Sequence, residues 1–432
     1  MLIVLYLSTF VQGWCQSEIY YVEDFYTRHT IVREYQQKLA VAYSYHPSTS
    51  GFCLIDFSSM TATYAELPSS VVVNDLEITG HTAYFCGTYA GIPYLGHFDI
   101  PSLFNGSGDF YFHRLAFSTP TYEIVAPEKL ALYSVGGETH AVMVGAGRHN
   151  YPRESLDERF VMDVYHDTPM PGTIAGSAIF NNTTPEHFYD IAVTDNFVVV
   201  ISGKEDGNAH VMRAFDKPAT AGGNIFASTT WHTYYHSQGD YFPVSQFLIA
   251  PMRGDKFATV CYSENSGHFG AAISTFQAPL TLLSRVVIDQ GVSASAGCSL
   301  KEMAFNADKD ILALLQDMTY PISATPTSAI CQTDQYNNAS AHYIPNYSFQ
   351  SVTRWSNDGS VLASGVRQNG LFTLFWHRPA AEACHIETPL NTLPITSQDN
   401  KKDSYWTPQS FRSMYVTAAP TLSTYKIING CN

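Results

Sequence analysis

The sequence predicts an all-β fold assembled from repeated short sheets. Three observations carry this reading. Tyr (28) and Phe (26) are abundant, and aromatic and β-branched side chains suit a pleated, half-buried surface. Helical periodicity is absent almost everywhere, while turn residues recur between apolar runs. The same strand–turn–strand unit also returns at a spacing of roughly 45–65 residues, a repeat length found in propeller blades rather than solenoids.

The clearest unit is Arg354–His377, RWSNDGSVLASGVRQNGLFTLFWH. Ser356–Gly359 makes a turn, because Asn and Asp bond their own backbone and Gly supplies positive φ. Val361-Leu362-Ala363 leaves it as a strand, and Asn369-Gly370 launches Leu371–Trp376. An Asn-Gly pair between apolar strands is a strong hairpin signal. Related units occupy Val72–Gly87, His187–Gly203, Gln246–Tyr262 and Leu300–Gln316, with weaker copies at Thr30–Tyr45 and Tyr122–Gly137. The Arg354–His377 stretch resembles the blade signature of WD40 and TolB-type β-propellers, in which such a turn precedes a small-residue strand and a later strand ends near Trp. The resemblance implies blades of short antiparallel strands around a central channel.

Taken in order, Glu18–Phe25 is a strand without a local partner. Blade one runs to about Glu66, blade two from Val71 to Pro120, and blade three from Thr121 to Phe180 with a charged insertion at Gly145–Arg159. Blade four spans Pro185–Thr230 and is followed by an aromatic connection, Trp231–Phe242. Blade five spans Val244–Asp289. Blade six spans Cys298–Gln350, with a second insertion at Asp317–Ala329. Blade seven is the Arg354 stretch and its tail to Leu393. A polar linker then leads to two closing strands, Phe411–Ala418 and Thr421–Asn429. A propeller has to join its first and last blades, and Glu18–Phe25 with Thr421–Asn429 fits that role. The expectation is one closed propeller over 18–432 with its ends joined by strands from both termini. Seven blades are favoured, and an eighth built from both termini is the alternative.

Composition narrows the function. A net charge of −15 and the lack of a Lys/Arg stripe exclude nucleic acid as an expected partner. Leu2–Phe10 reads as the apolar core of a signal peptide ending by about residue 17, so export to the periplasm, cell surface or medium is expected. No other run approaches the ~18 apolar residues of a membrane span. The eight cysteines show no CxxC spacing, which argues against structural zinc. Most read as small buried hydrophobes, and Cys298–Cys331 is the one pairing that a single blade suggests.

Two groups of residues are candidates for binding. On the expected register Asp75, Glu123, Asp190, Glu302 and Arg354 reach the channel mouth. The aromatic connection brings Trp231, His232, Tyr234, Tyr235, His236, Asp240 and Tyr241, and the insertion adds His149, Tyr151 and Arg153. Aromatic faces stack on sugar rings while polar neighbours fix hydroxyls. His232 and His236 lie about 13 Å apart along a strand, too far to share a metal. Asp163, His166 and Asp167 lack an accompanying Ser or Cys nucleophile motif, and Arg253-Gly254-Asp255 is what a tight turn needs. No catalytic residue, metal or cofactor is assigned. The expected function is non-enzymatic binding of a carbohydrate or an extracellular protein at the channel mouth. The alternatives are a carbohydrate-active hydrolase or lyase using the mouth carboxylates, and a structural scaffold.

Overall fold

The computed structural model describes residues 18–46, 49–115, 122–149, 157–166, 173–180, 186–204, 210–226, 230–235, 247–265, 268–292, 298–306, 311–318, 327–333, 339–355, 360–377, 386–394, 407–408 and 414–429. The N-terminal stretch read as a signal peptide lies outside them. The fold is all-β and consistent with a β-propeller-like architecture. No helix among the described residues is long and apolar enough to cross a membrane.

After β1 (Glu18–Tyr26), four-stranded antiparallel meanders follow one another. The first comprises β2 (His29–Tyr35), β3 (Lys38–His46), β4 (Thr49–Asp56) and β5 (Thr61–Glu66). The second comprises β6 (Val71–Thr79), β7 (Thr82–Tyr89), β8 (Ile92–Asp99) and β9 (Phe110–Arg114). Its last connection holds one short helix, α1 (Ile100–Phe104), capped where Asp99 Oδ1 accepts the Ser102 amide at 2.9 Å. The third comprises β10 (Tyr122–Val135), β11 (Glu138–His149), β12 (Asp157–His166) and β13 (Thr173–Phe180). The fourth comprises β14 (Glu186–Val193), β15 (Phe197–Lys204), β16 (His210–Asp216) and β17 (Thr230–Tyr235). The fifth comprises β18 (Phe247–Pro251), β19 (Lys256–Asn265), β20 (His268–Gln277) and β21 (Thr281–Val292). The sixth comprises β22 (Cys298–Asn306), β23 (Ile311–Met318), β24 (Thr327–Thr333) and β25 (Ala339–Pro345). The last has three consecutive strands, β26 (Tyr347–Arg354), β27 (Val361–Arg367) and β28 (Leu371–His377), and takes β1 as its fourth, with Ile19 opposite Phe375.

The rest of the chain lies along outer edges. β29 (Ile386–Pro394) pairs with both β21 and β25, β30 (Thr407–Pro408) with β13, and β31 (Met414–Ala418) with β9. β32 (Thr421–Asn429) runs between β5 and β1. The tail therefore visits the meanders in reverse chain order. At the opposite edge, the first strands meet in a cycle: β2 touches β6, β6 touches β10, and so on through β14, β18, β22 and β26, which returns to β2.

Period-two alternation explains the core. Along β3, Leu39, Val41 and Tyr43 pack toward β1 and the last meander, whereas Ala42 packs toward the second. Buried clusters of this kind fill the spaces between consecutive meanders, with Phe52, Phe85, Phe98 and Phe110 packed on one another between the first two. In the last meander Trp376 Nε1 donates to Ser360 Oγ at 2.6 Å, and Trp355 packs beside it.

Several sequence-based boundaries need correction. Trp231–Tyr235 belongs to strand β17, with Tyr234 opposite Val211, because its β-branched and aromatic residues continue the ladder. Both ends of the Gly145–Arg159 insertion are strand, with Gly145 opposite Phe160. The Asp317–Ala329 insertion likewise begins and ends in β23 and β24. The tail to Leu393 is not a strand of the last meander, since β29 pairs with β21 and β25. The last meander begins at Tyr347, which moves Gln350 into it. Cys298 and Cys331 cannot bridge: Cys298 aligns with Met318 and Cys331 with Leu314, an offset of about 13 Å along the strand direction. Cys53 and Cys86 are free and buried, which matches their reading as small hydrophobes.

Candidate functional site

Five of the first strands share one local device. β6, β10, β14, β22 and β26 each carry a β-bulge that adds a residue near the middle of the strand, and a bulge re-aims the side chain that follows it. Glycines accommodate it in three meanders. A Cβ at Gly87 would lie 1.9 Å from the Val72 carbonyl oxygen, and at Gly145 or Gly365 the corresponding carbonyl would be 2.2 Å away.

The side chain just after the bulge reaches the next strand of the cycle. Asp75 Oδ2 accepts the Leu130 amide at 2.9 Å, and Asp190 Oδ2 accepts the Ile249 amide at 3.0 Å. Glu302 Oε2 accepts the Val352 amide at 2.7 Å, and Ser351 Oγ accepts the Val32 amide at 3.0 Å. These first strands have no backbone ladder on the channel side, so side-chain acceptors satisfy amides that would otherwise be buried and unpaired. Where the preceding strand supplies no acceptor, the carboxylate serves itself: Asp75 Oδ1 takes the Leu76 amide and Asp190 Oδ1 the Ile191 amide, both at 3.0 Å.

Arg33 ties three of these strands together. Its guanidinium meets Glu302 at 2.8 Å, Glu77 at 2.9 Å and Asp75 at 3.4 Å. Burial disfavours the charge, but Glu302, Glu77 and Asp75 outweigh that and hold the guanidinium firmly protonated. Burial pushes the Glu77 carboxyl up, with Arg33 opposing and Asp75 reinforcing the shift. Water still reaches Glu77, whose side chain is 32% exposed. Asp190 is pushed up to about 6 by burial, against the pull of Lys129 and of two amides.

A cavity of about 200 Å³ lies on one side of Arg33, lined by His29, Thr30, Asn74, Asp75, Lys129, Lys301, Glu302, Gln350 and Ser351, with Ile31 the one apolar residue. A second, of about 210 Å³, is bounded by Arg33 itself with Glu34, Glu77, Ile78, Thr353 and Arg354. In the first cavity Lys129 follows the β10 bulge. Burial lowers its affinity for a proton, but Asp75, Asp190 and Glu302 outweigh burial and keep it an ammonium. Burial, and then Lys129, push the His29 ring toward its neutral form.

No family model matches this chain, and no curated protein matches it. Among solved structures, a hypothetical protein from Leishmania major is similar over 61% of this chain and 87% of its own, at 8% identity and a TM-score of 0.27. A likeness at that level carries no argument.

The structure brings Asp75 and Glu302 together through Arg33. Asp190 belongs to the same charge field through Lys129. Arg354 lies at the second cavity, and Glu123 is exposed near the start of β10, outside both linings. Trp231, His232, Tyr234 and Tyr235 sit in β17, three strands out from the channel strand β14, about 14 Å at the usual strand spacing. His149 ends β11. Tyr151, Arg153, His236, Asp240 and Tyr241 lie outside the described residues.

Asp163 joins a different partner from the one its sequence neighbours suggested. It accepts from Tyr133 at 2.8 Å and from the Ile225 amide at 3.0 Å, and pairs with His140 at 2.9 Å, fully buried. Asp255 is held by Thr194 and Asn196, so the Arg-Gly-Asp turn uses its carboxylate to brace the neighbouring meander. Sequence reading missed Arg33, Lys129, Lys301 and His29. For Lys129 the usable signal was the bulge, an extra residue before a polar one with Gly145 on the next strand, whereas Arg33 and His29 lie on β2, which carries none. Among the described residues no group of three or more His, Cys, Asp or Glu is placed to hold a metal ion.

Proposed function

We propose that the chain is an exported, closed seven-bladed β-propeller that binds a small polyhydroxylated ligand, a carbohydrate unit, in its channel mouth. The cyclic contact of the first strands and the pairing of β1 and β32 across the first and last meanders support the closed ring. Export rests on the apolar Leu2–Phe10 stretch.

The observation that carries the binding reading is the polar cavity beside Arg33. Its volume is of the order a single ring needs, against the ~150 Å³ that admits benzene. Its lining suits hydroxyl groups. The carboxylates favour binding over hydrolysis. Asp75 spends both oxygens on amides, while Glu302 gives one oxygen to Arg33 and the other to Val352 and Ser351. A glycosidase needs one carboxyl free to donate a proton and another free to attack or activate water.

Calorimetric titration of the mature protein with mono- and disaccharides tests this. Binding of at least one sugar is expected, and His29→Trp, which adds bulk at the cavity lining, should abolish it without lowering Tm. Binding that survives His29→Trp places the site elsewhere, and failure of every sugar at millimolar concentration overturns the reading.

A further inference from the structure

The five strands share a bulge at the corresponding position but differ in the residue that follows it. Four place an acceptor there, Asp75, Asp190, Glu302 and Ser351, and each clasps the next strand's amide. The fifth places Lys129. A lysine cannot make that clasp, because its ammonium only donates. The amide it leaves unserved, Ile191, is taken by the Asp190 carboxylate of its own strand. The repeat is broken at one position and repaired at the next, the pattern expected where a residue serves something other than the fold.

Both cations offset carboxylates, but only Arg33 does so by direct contact. Arg33 contacts its carboxylates at 2.8–3.4 Å. Lys129 makes no hydrogen bond or ion pair with any described residue, although Asp75, Asp190 and Glu302 surround it. The carboxylate and Gln350 acceptors at the cavity are already engaged: Asp75 and Glu302 as above, and Gln350 Oε1 by the Thr30 amide at 2.8 Å. The Lys129 ammonium is the uncommitted charged donor in the lining, beside the His29 ring and the Asn74 amide oxygen.

We propose that Lys129 is the specificity-determining residue of the channel cavity and that the ligand there is an acidic sugar, whose carboxylate seats on the Lys129 ammonium. This rests on the carbohydrate reading above and narrows it. A charge-assisted hydrogen bond is about twice as strong as a neutral one, and the surrounding carboxylates keep the ammonium charged while their own oxygens stay occupied. Neutral sugars fit the same space but leave the ammonium without an anionic partner.

The test titrates galacturonate and galactose into the full chain, as wild type, Lys129→Met and Lys129→Arg, with a thermal melt of each. Galacturonate should bind wild type about tenfold more tightly than galactose. Lys129→Met should erase that preference while changing galactose affinity less than about threefold, and Lys129→Arg, which keeps the charge, should retain most of it. Equal binding of the two sugars to wild type overturns the inference and leaves the carbohydrate reading standing, as does a preference that survives Lys129→Met. Failure of both sugars to bind overturns the inference, while the carbohydrate reading stands or falls with the wider sugar titration above. If Lys129→Met does not fold, the wild-type comparison still decides, and a Lys129→Arg variant that folds but loses the preference counts against the assignment.

Discussion

Along the inner edge, single side chains hold the meanders to one another, with Asp75, Asp190, Glu302 and Ser351 each taking one amide from the neighbouring strand. Along the outer edge, whole strands do the joining: β29 spans two meanders, β30 and β31 each extend one, and β32 bridges the first and last. The difference follows from geometry. First strands converge on a cavity and do not run as mutual ladders, so only a side chain can cross the gap. Outer edges are open ladders, which attract other chains unless they are paired. The inner edge is thereby left with polar side chains around a cavity, while the outer edge takes up added strands.

Deleting 419–432 should have the largest effect. It removes β32 from both β1 and β5, a loss of at least ~4 kcal/mol at the usual net worth of each hydrogen bond. The truncated protein should self-associate through the two bared edges, as size-exclusion chromatography would show. A monomer with unchanged Tm would mean that the tail is ornamental.

At the inner edge, Asp75→Ala leaves two amides unserved and removes a partner of Arg33. It should cost ~3–5 kcal/mol, as breaking buried charge pairs does, measured by denaturant unfolding. Gly365→Ala should follow at about 3 kcal/mol, because its Cβ would sit 2.2 Å from the Ser348 carbonyl oxygen. Ser351→Ala, which removes a neutral acceptor, should cost ~1–2 kcal/mol. A Ser351→Ala loss as large as that of Asp75→Ala would show that charge is not what separates the clasps.

The smallest effect is on pH dependence. Asp190 is pushed up to about 6 from an ordinary 3.8, so between those values the folded state holds a proton that the unfolded chain has released. Its contribution to stability is therefore greatest at low pH and is lost as pH rises through 6. Acidifying from pH 7.5 to 5 should raise the Tm of wild type relative to Asp190→Asn. No pH-dependent difference would place the Asp190 carboxyl in water, and the opposite sign would mean that Lys129 and the two amides outweigh burial.

Sequence patterns disclosed the strands better than the site. The Asn369-Gly370 turn and the flanking Val361–Ala363 and Leu371–Trp376 runs were legible because hairpin chemistry is local, and they do pair. The unpartnered Glu18–Phe25 stretch was legible as a strand for the same reason. Arg33 was not, since its partners Asp75 and Glu302 lie in other meanders and nothing in the residues near it signals them. Lys129 was hidden in the weak Tyr122–Gly137 copy, whose two bulges interrupt the alternation that marks a strand. Trp231–Tyr235 was read as a connection although it is strand β17, because a dense aromatic run suits an outer strand as well as a loop.

The inner-edge clasps are tested most directly by amide hydrogen exchange resolved to single residues. Val32 is the telling position, because its amide reaches Ser351 of the last meander across the junction between chain ends. The account predicts that the amides of Val32, Leu130, Ile249 and Val352 are protected like ladder amides in wild type, and that Ser351→Ala releases Val32 alone. Rapid exchange at Val32 in the wild-type protein would contradict it.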